Sequence, residues 1–508
     1  LRRGVLRCST NVRTTGGQRA GFGAQPAHIE PSLQSRGFLR RQPSPHNPIS
    51  RFLLLGEASS YRTGSLRTGG RRTSRNEILR SWAVPSRWSP GIIKCESSTS
   101  AGASAWSCGA SRNQFSDPRG AGLANLTHSK LKTFVRSLAP TLVVVTGGRS
   151  NCLDAKDRKA WRSPYCQARG YGGACDLAAL DAFSTATGAD VAWHVNPAFR
   201  DSGGNFDVNN APAPASASTL LLYEELHEKP PRPSKQKLPI VDGVQASAAS
   251  VARDFASLRK RYNHHTIVGL LNQDTDQAPT WTDAVYGASK NSIDVVAFSY
   301  YASTVALGRA KKKFGCGAYA DAALGIVDPS HRSPFDRTLA RYVDLARSLG
   351  KFVWVVAAAP CTHAPEGSGW GAVDAVAGGL WYADLLGRAA AGGARLVARQ
   401  TLVGGVYGLL DSRTYAETPS AVVARVFVEH FGSEVLQVNA ATPPHLSIFA
   451  HCGRGAATVA FLVVNVGNRT ESLMLPRHGA GPVVLSLAGA ALAAPAFKPS
   501  RLEARRQI

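Results

Sequence analysis

The stretch Thr338-Leu-Ala-Arg-Tyr-Val-Asp-Leu-Ala-Arg-Ser-Leu349, then Gly350-Lys351, then Phe352-Val-Trp-Val-Val-Ala-Ala-Ala359 before Pro360, sets two periods side by side. Its first part carries apolar residues at helical spacing with Arg and Asp between them. Its second part is wholly apolar and β-rich, the texture of a strand buried on both faces. The same unit recurs along the chain. Lys130–Leu138 leads to Thr141–Val145, Asp176–Thr187 to Ala189–Val195, and Ser247–Tyr262 to Thr266–Leu271. Trp281–Ala288 leads to Ile293–Tyr301, and Asp374–Gly393 to Arg395–Leu402. Helices alternating with short apolar strands predict a parallel sheet covered by helices, most economically a closed (β/α)8 TIM-type barrel. An open doubly wound sheet is the competing arrangement. No GxGxxG follows any of these strands, which speaks against a dinucleotide site.

Beyond about Gly432 the pattern turns purely β: Leu446–His451, Ala457–Val464 and Val483–Leu487 are separated by Gly, Asn and Pro turns. A small antiparallel β-sandwich packed on the barrel is expected there. Leu502–Ile508 lacks the apolar strand expected to close it. The expected division is a leader over 1–112, a barrel over 113–425 and a sandwich over 426–508.

The 508 residues carry 59 Lys+Arg against 34 Asp+Glu, a formal charge of +25. The excess is concentrated early. Residues 1–130 hold 20 cations, 18 of them Arg, against 5 acids. Residues 1–110 show neither a period of 2 nor one of 3.6, and they read as disordered. A basic arm of this kind suggests polyanion binding, yet it lacks the aromatic interleaving of a nucleic-acid platform. The chain begins with Leu and its only Met is Met474, so the leader reads as translated flanking sequence or a processed transit region. Phe52–Leu55 is too short for the core of a signal peptide. No apolar run reaches membrane-spanning length.

Nine cysteines are scattered without a CxxC pair, so no structural metal is expected. Cys166 and Cys175 bracket a Gly-rich loop, and on spacing they are either a disulfide or two separate thiols. Asn125-Leu-Thr and Asn468-Arg-Thr are N-glycosylation sequons, usable only in a secreted protein.

Several strand ends carry a resemblance. Ser116-Asp-Pro-Arg, Ser129-Lys-Leu-Lys-Thr-Phe-Val-Arg-Ser-Leu-Ala-Pro140 and the strand closing on Gly147-Gly148 resemble the opening of the heparanase-like proteins, glycoside hydrolase family 79. Trp193-His-Val-Asn-Pro-Ala-Phe-Arg200 and Phe206-Asp-Val-Asn-Asn-Ala211 are similar to that family's G-L-N-A-L-x-R and W-N-x-x-N-A segments. The most specific likeness, to plant-type sequences, runs from Asp374 through Trp381-Tyr-Ala-Asp-Leu-Leu-Gly387 to Arg399-Gln-Thr-Leu-Val-Gly-Gly-Val-Tyr-Gly-Leu-Leu-Asp411. Ile448-Phe-Ala-His-Cys452 and Val464-Asn-Val-Gly-Asn468 resemble its C-terminal strands.

The resemblance implies a retaining β-glucuronidase-type glycosidase acting on acidic glycans or glycoconjugates. It uses no cofactor, and its relatives are secreted or membrane-associated, in the cell wall, matrix, lysosome or vacuole. Its chemistry needs two carboxyl groups about 5–5.5 Å apart, a proton donor and a nucleophile, on the C-terminal ends of two barrel strands. The family's nucleophile closes a strand reading V-W-L-G-E, and Ala357 stands at that position. The nearest acid is Glu366, in the loop after Pro360, as a substitute nucleophile or a simple surface residue. For the proton donor two alignments compete. One lays Tyr223-Glu-Glu-Leu-His-Glu228 on the family's W-E-L-G-N-E and makes Glu228 the acid/base. The other reads 218–226 as the helix before that motif, with Glu224, Glu225 and Glu228 on a solvated face and the catalytic strand replaced by Pro230–Pro239. The Leu triplet favours the second.

Phe298 and Ser299 stand where the family has a His-His pair. Substrate-binding candidates are Asn196 and Arg200 at one strand end, and Arg399, Gln400, Gly404, Gly405 and Tyr407 at another. Lys311–Lys313 follow the Tyr301 strand end, either lining the mouth for an anionic glycan or as a solvated loop. The reading is a family-79 scaffold with weakened or lost catalysis. The alternatives are a non-catalytic acidic-glycan binder, a gene model with misplaced exon boundaries and, remotely, a basic nucleic-acid-binding protein.

Overall fold

The computed structural model describes residues 51–56, 89–95, 125–139, 141–145, 153–154, 159–160, 177–195, 205–210, 215–224, 247–271, 279–302, 322–360, 375–403, 408–411, 414–454, 458–467, 471–473, 483–488 and 498–503. In chain order the strands are β1 Arg51–Gly56, β2 Ser89–Cys95, β3 Leu142–Val145, β4 Leu153–Asp154, β5 Lys159–Ala160, β6 Asp190–Val195, β7 Ala217–Glu224 and β8 Thr266–Leu271. They continue with β9 Val295–Tyr301, β10 Phe352–Ala359, β11 Leu396–Gln400, β12 Phe431–Leu436, β13 Leu446–Gly453, β14 Val459–Asn465, β15 Val483–Ala488 and β16 Lys498–Glu503. The helices are α1 Ser129–Ser137, α2 Leu177–Thr187, α3 Ala248–Arg261, α4 Pro279–Ala288, α5 Ala322–Val327, α6 Arg332–Leu349, α7 Val376–Ala391 and α8 Pro419–His430.

Eight parallel strands close a barrel in the order β2-β3-β6-β7-β8-β9-β10-β11, with β11 returning to β2. The expected TIM-type barrel is therefore present. Period-2 alternation separates its two layers. Leu142, Val144, Ala192, Leu221, Val268, Leu270, Val295, Ala297, Trp354, Val356, Leu396 and Ala398 fill the inside of the ring. Val143, Val191, Leu220, Leu222, Ile267, Val296, Val353, Val355 and Val397 pack outward against the helices. Such double burial is why these strands read as unbroken apolar runs. Gly269 on β8 has a steric reason. A Cβ there would come 2.7 Å from Cε1 of Tyr286, whose hydroxyl donates to the carbonyls of Gly269 (2.8 Å) and Ala297 (2.9 Å).

Two short strands, β1 and β2, fall within the leader expected over 1–112. β2 is the first stave of the barrel, and β1 joins the C-terminal sheet. One expectation is corrected: on the favoured alignment 218–226 is a helix, whereas Ala217–Glu224 is β7, the fourth barrel strand. A buried parallel strand and a buried helical segment share the same apolar run, and periodicity alone cannot separate them. Here Leu221 faces in while Leu220 and Leu222 face out, which is strand alternation.

The antiparallel part after the barrel is one six-stranded sheet, β12-β13-β14-β1-β15-β16. Its C-terminal strands begin after α8, and the expected boundary at 425/426 falls within that helix. β16 supplies the edge beside β15 that the sequence alone did not reveal. The sheet rests on α7. Phe449 of β13 lies against Gly387, where a Cβ would come to 2.5 Å from the ring Cγ. A polar clamp reinforces this seam. Asp384 of α7 accepts from Arg332 Nε (3.1 Å) and Arg388 Nε (2.8 Å), Arg388 also meets Asp336 (2.8 Å) and Ser447 (3.3 Å), and Arg332 donates to the Pro444 carbonyl. Among the described residues, no helix is long and apolar enough to cross a membrane.

Candidate active site

In a (β/α)8 barrel the reacting groups stand at the C-terminal ends of the strands. Three of those ends have described inward side chains that matter. His194 follows Ala192 on the inner face of β6 and is fully buried. Tyr301 ends β9 on the face of Val295 and Ala297, and Gln400 ends β11 on the face of Leu396 and Ala398. The Tyr301 hydroxyl donates to Gln400 Oε1. Since β9 and β11 flank β10 on either side, this hydrogen bond passes over the end of β10.

The end of β10 is irregular. Val355 pairs with Phe298 and Val397, whereas Ala358 pairs with Tyr300 and Arg399, so β10 carries one extra residue against both neighbours. That is a β-bulge, a device that bends a strand and re-aims a side chain. Ala357 sits in it at φ 67° and is fully buried. A left-handed alanine costs roughly 1–2 kcal/mol relative to ordinary strand backbone. The bulge breaks the alternation, and Ala358 and Ala359 both join the outer layer. The nucleophile position of the sequence comparison is thus a bulged strand end whose side chain is a methyl group.

Arg399 takes a place other than the one expected. Its parity is that of Val397, so it leaves the mouth and faces the helix layer. It is fully buried, lies 5.1 Å from the Trp381 ring and 5.4 Å from the Tyr382 ring, and donates to the Ala358 carbonyl at 3.2 Å. Burial pushes the Tyr382 phenol up while the Arg399 charge pulls against it. Arg399 therefore ties β11, α7 and the bulged end of β10 together from outside the ring. Phe298 likewise points outward, stacked on Tyr342 of α6 at 4.5 Å.

Gln400 is the one expected binding residue that the described structure brings to the mouth. Glu228, Glu366, Asn196, Arg200, Gly404, Gly405, Tyr407, Lys311–Lys313 and the Cys166/Cys175 pair lie outside the described residues, as does Asn468. The backbone of β7 ends at Glu224, four residues before Glu228. The sequence reading missed His194 and the role of Tyr301. Counting parity from Ala192 and Ala297 would have found both.

The fold and this mouth define a (β/α)8 barrel protein with an accessory antiparallel sheet. No family model matches the chain. Heparanase-like protein 1 of Arabidopsis thaliana is 31% identical over 161 residues, covering 31% of this chain and 29% of that protein. Baicalin-beta-D-glucuronidase of Scutellaria baicalensis is 36% identical over 87 residues, 17% of this chain and 16% of that one. By sequence the chain is similar to heparanase-like glycoside hydrolases, and it aligns with less than a third of the length of these curated relatives. Among solved structures, the family 51 alpha-L-arabinofuranosidase AbfB of Bifidobacterium longum overlaps with a TM-score of 0.48 at 13% identity, covering 74% of this chain and 86% of that one. A 4-O-alpha-L-rhamnosyl-beta-D-glucuronidase of Fusarium oxysporum 12S overlaps at 0.45 and 12%, covering 79% of each chain.

Proposed function

We propose that the chain is a heparanase-like glycoside hydrolase scaffold that takes β-glucuronide linkages of acidic glycans or glycoconjugates, with hydrolysis weakened or lost at the nucleophile step. One observation carries this reading: the bulged end of the seventh barrel strand presents Ala357. A retaining glycosidase attacks the anomeric carbon with a carboxylate and forms a covalent glycosyl-enzyme. A methyl group has no electron pair for that step, and losing an activated nucleophile lowers the rate by orders of magnitude.

The proton donor stands differently. The strand state of 217–224 supports the alignment that lays Tyr223–Glu228 on W-E-L-G-N-E, which makes Glu228 the acid/base just past the fourth strand. One carboxyl group of the pair is then retained and the other is missing. In this reading Gln400, held by Tyr301, contacts the sugar, with Asn196, Arg200, Gly404, Gly405 and Tyr407 as further binding residues. Arg399 positions the strand ends without touching substrate. The same Ala357 favours a second reading, a non-catalytic binder of acidic glycans. An extracellular, cell-wall or lysosomal setting belongs to the proposal, supported by the disulfide-bonded state of Cys452.

Turnover of an aryl β-D-glucuronide and of an alkyl one with a poorer leaving group tests it. Wild type is expected at background on both. Ala357→Glu is expected to gain hydrolysis, most of which disappears on the alkyl substrate when Glu228→Gln is added. Wild-type turnover that vanishes on Glu366→Gln would show that a loop carboxylate has replaced the strand nucleophile, and the inactive reading would be wrong. Calorimetric binding of a glucuronate-containing oligosaccharide without turnover supports the binder.

A further inference from the structure

We propose that Asn125 is an N-glycan acceptor, placing an oligosaccharide at the rim of the barrel mouth where the eighth strand meets the first. Asn125-Leu126-Thr127 is a sequon with no proline in its middle. The local geometry suits transfer. Asn125 Oδ1 accepts from the Thr127 amide at 3.0 Å and from the Thr127 hydroxyl at 2.7 Å. The carboxamide oxygen is thereby turned toward Thr127. Among the described residues, the hydrogen bonds of Asn125 use Oδ1, the backbone carbonyl, which accepts from the His128 amide at 2.9 Å, and the backbone N–H, which donates to Tyr415 Oη at 2.9 Å. Nδ2, the atom that would carry the sugar, takes part in none of these hydrogen bonds. Thr127 is exposed and Asn125 half-buried, ahead of the first turn of α1. Substitution on Nδ2 therefore disturbs neither the helix nor its buried face of Leu131, Phe134 and Val135.

The position follows from the connections. α1 lies between β2 and β3, so its N-terminus stands on the C-terminal face of the barrel. Tyr415 lies between β11 and α8 on that same face, and it also stacks on His128 at 3.9 Å. The chemistry is group transfer from a lipid-diphosphate-linked oligosaccharide. The sugar C1–O bond to the diphosphate breaks, a C1–Nδ2 bond forms, the amide proton goes to a base of the transferase, and the lipid diphosphate leaves. This inference rests on the compartment named under Proposed function, which the half-cystine at Cys452 supports independently of any sugar chemistry.

The test expresses the full chain behind a cleavable secretion signal in a cultured eukaryotic cell. Proteolytic peptides deglycosylated by peptide-N-glycosidase in heavy-oxygen water are then mapped. Position 125 is expected to carry the heavy-oxygen Asp tag in the majority of molecules, to lose it in Thr127→Ala and to keep it in Thr127→Ser. An untagged Asn125 in folded wild-type protein overturns the proposal, with or without the variants. The Cys452 linkage, read on the same digest, separates the two ideas. An untagged Asn125 beside an intact disulfide removes the glycan and leaves the compartment standing, whereas a free Cys452 thiol removes both. Neither readout depends on glucuronide turnover.

Discussion

Replacing Gly387 by alanine sets two effects of opposite sign against each other at the seam between α7 and the sheet. In an exposed helix interior, Gly→Ala stabilises by up to about 1 kcal/mol through helix propensity. At 387 the new Cβ would come to 2.5 Å from Cγ of Phe449, where ordinary contact begins near 3.4 Å. The ring or the strand must retreat by about 1 Å, and Phe449 is itself buried with little room to turn. Overpacking of this kind costs typically about 1–3 kcal/mol. Retreat of β13 also draws Ser447 away from Arg388, a contact already 3.3 Å long, for a further loss of roughly 0.5–1 kcal/mol. The net expectation is destabilisation by about 1–2 kcal/mol. Gly287, exposed in α4 with nothing within 4 Å of its would-be Cβ, is the internal control. Urea unfolding of both variants should give opposite signs, Gly287→Ala up and Gly387→Ala down. Stabilisation by Gly387→Ala would refute the packing of Phe449 against α7.

Ala357→Gly is expected to be close to neutral. Relief of the left-handed backbone, roughly 1–2 kcal/mol, offsets the lost methyl burial and the added chain entropy, about 0.8 and 0.4–1 kcal/mol. Ala358→Gly next to it gains no such relief and should lose about 1.5 kcal/mol in the same denaturation assay. His451 lies buried with its ring perpendicular to the stacked pair Phe427 and Phe431, donating Nδ1–H to the Gly432 carbonyl at 3.1 Å. Burial pushes its pKa down to about 4 from 6.5, the Gly432 bond acting against the shift. The unfolded chain then binds the extra proton first, so stability is full above pH 6.5 and falls as pH drops toward 4, by up to about 3 kcal/mol. His451→Gln should flatten that limb of the pH–stability curve, and an unchanged slope would count against the buried neutral ring. Asp384→Ala leaves Arg332 and Arg388 without their shared carboxylate and should cost about 3 kcal/mol by thermal or urea unfolding. Asp384→Asn, keeping the shape, should lose less.

The barrel was legible wherever a strand followed a helix with a clear period, as at Thr338–Ala359. It was not legible at β7, because Ser218–Leu222 is too short and too uniformly apolar for periodicity to tell strand from helix. β1 and β2 were hidden for another reason. Both lie in a stretch rich in Arg, Ser and Gly, and the partners of β1, with one of the two partners of β2, are hundreds of residues away. The site was legible at Ala357 by its place in the strand, but the bulge that re-aims it leaves no mark in composition. Arg399 shows the limit of motif transfer. Its residue type suited an acidic sugar, and only the parity of Leu396-Val-Ala-Arg-Gln400 places it on the helix side.

The long-range pairing of β1 and β2 has a consequence for synthesis. β1 hydrogen-bonds to β14 and β15, which leave the ribosome more than 400 positions after it. β2 must likewise wait for β11 before the ring can shut. A nascent polypeptide of this kind holds β1 and β2 open until those partners emerge, exposed to chaperones and proteases. The ring is latched by β11 and the sheet by β14 and β15, so a lesion in β1 or β2 would be felt as a defect in packing at strands far along the chain.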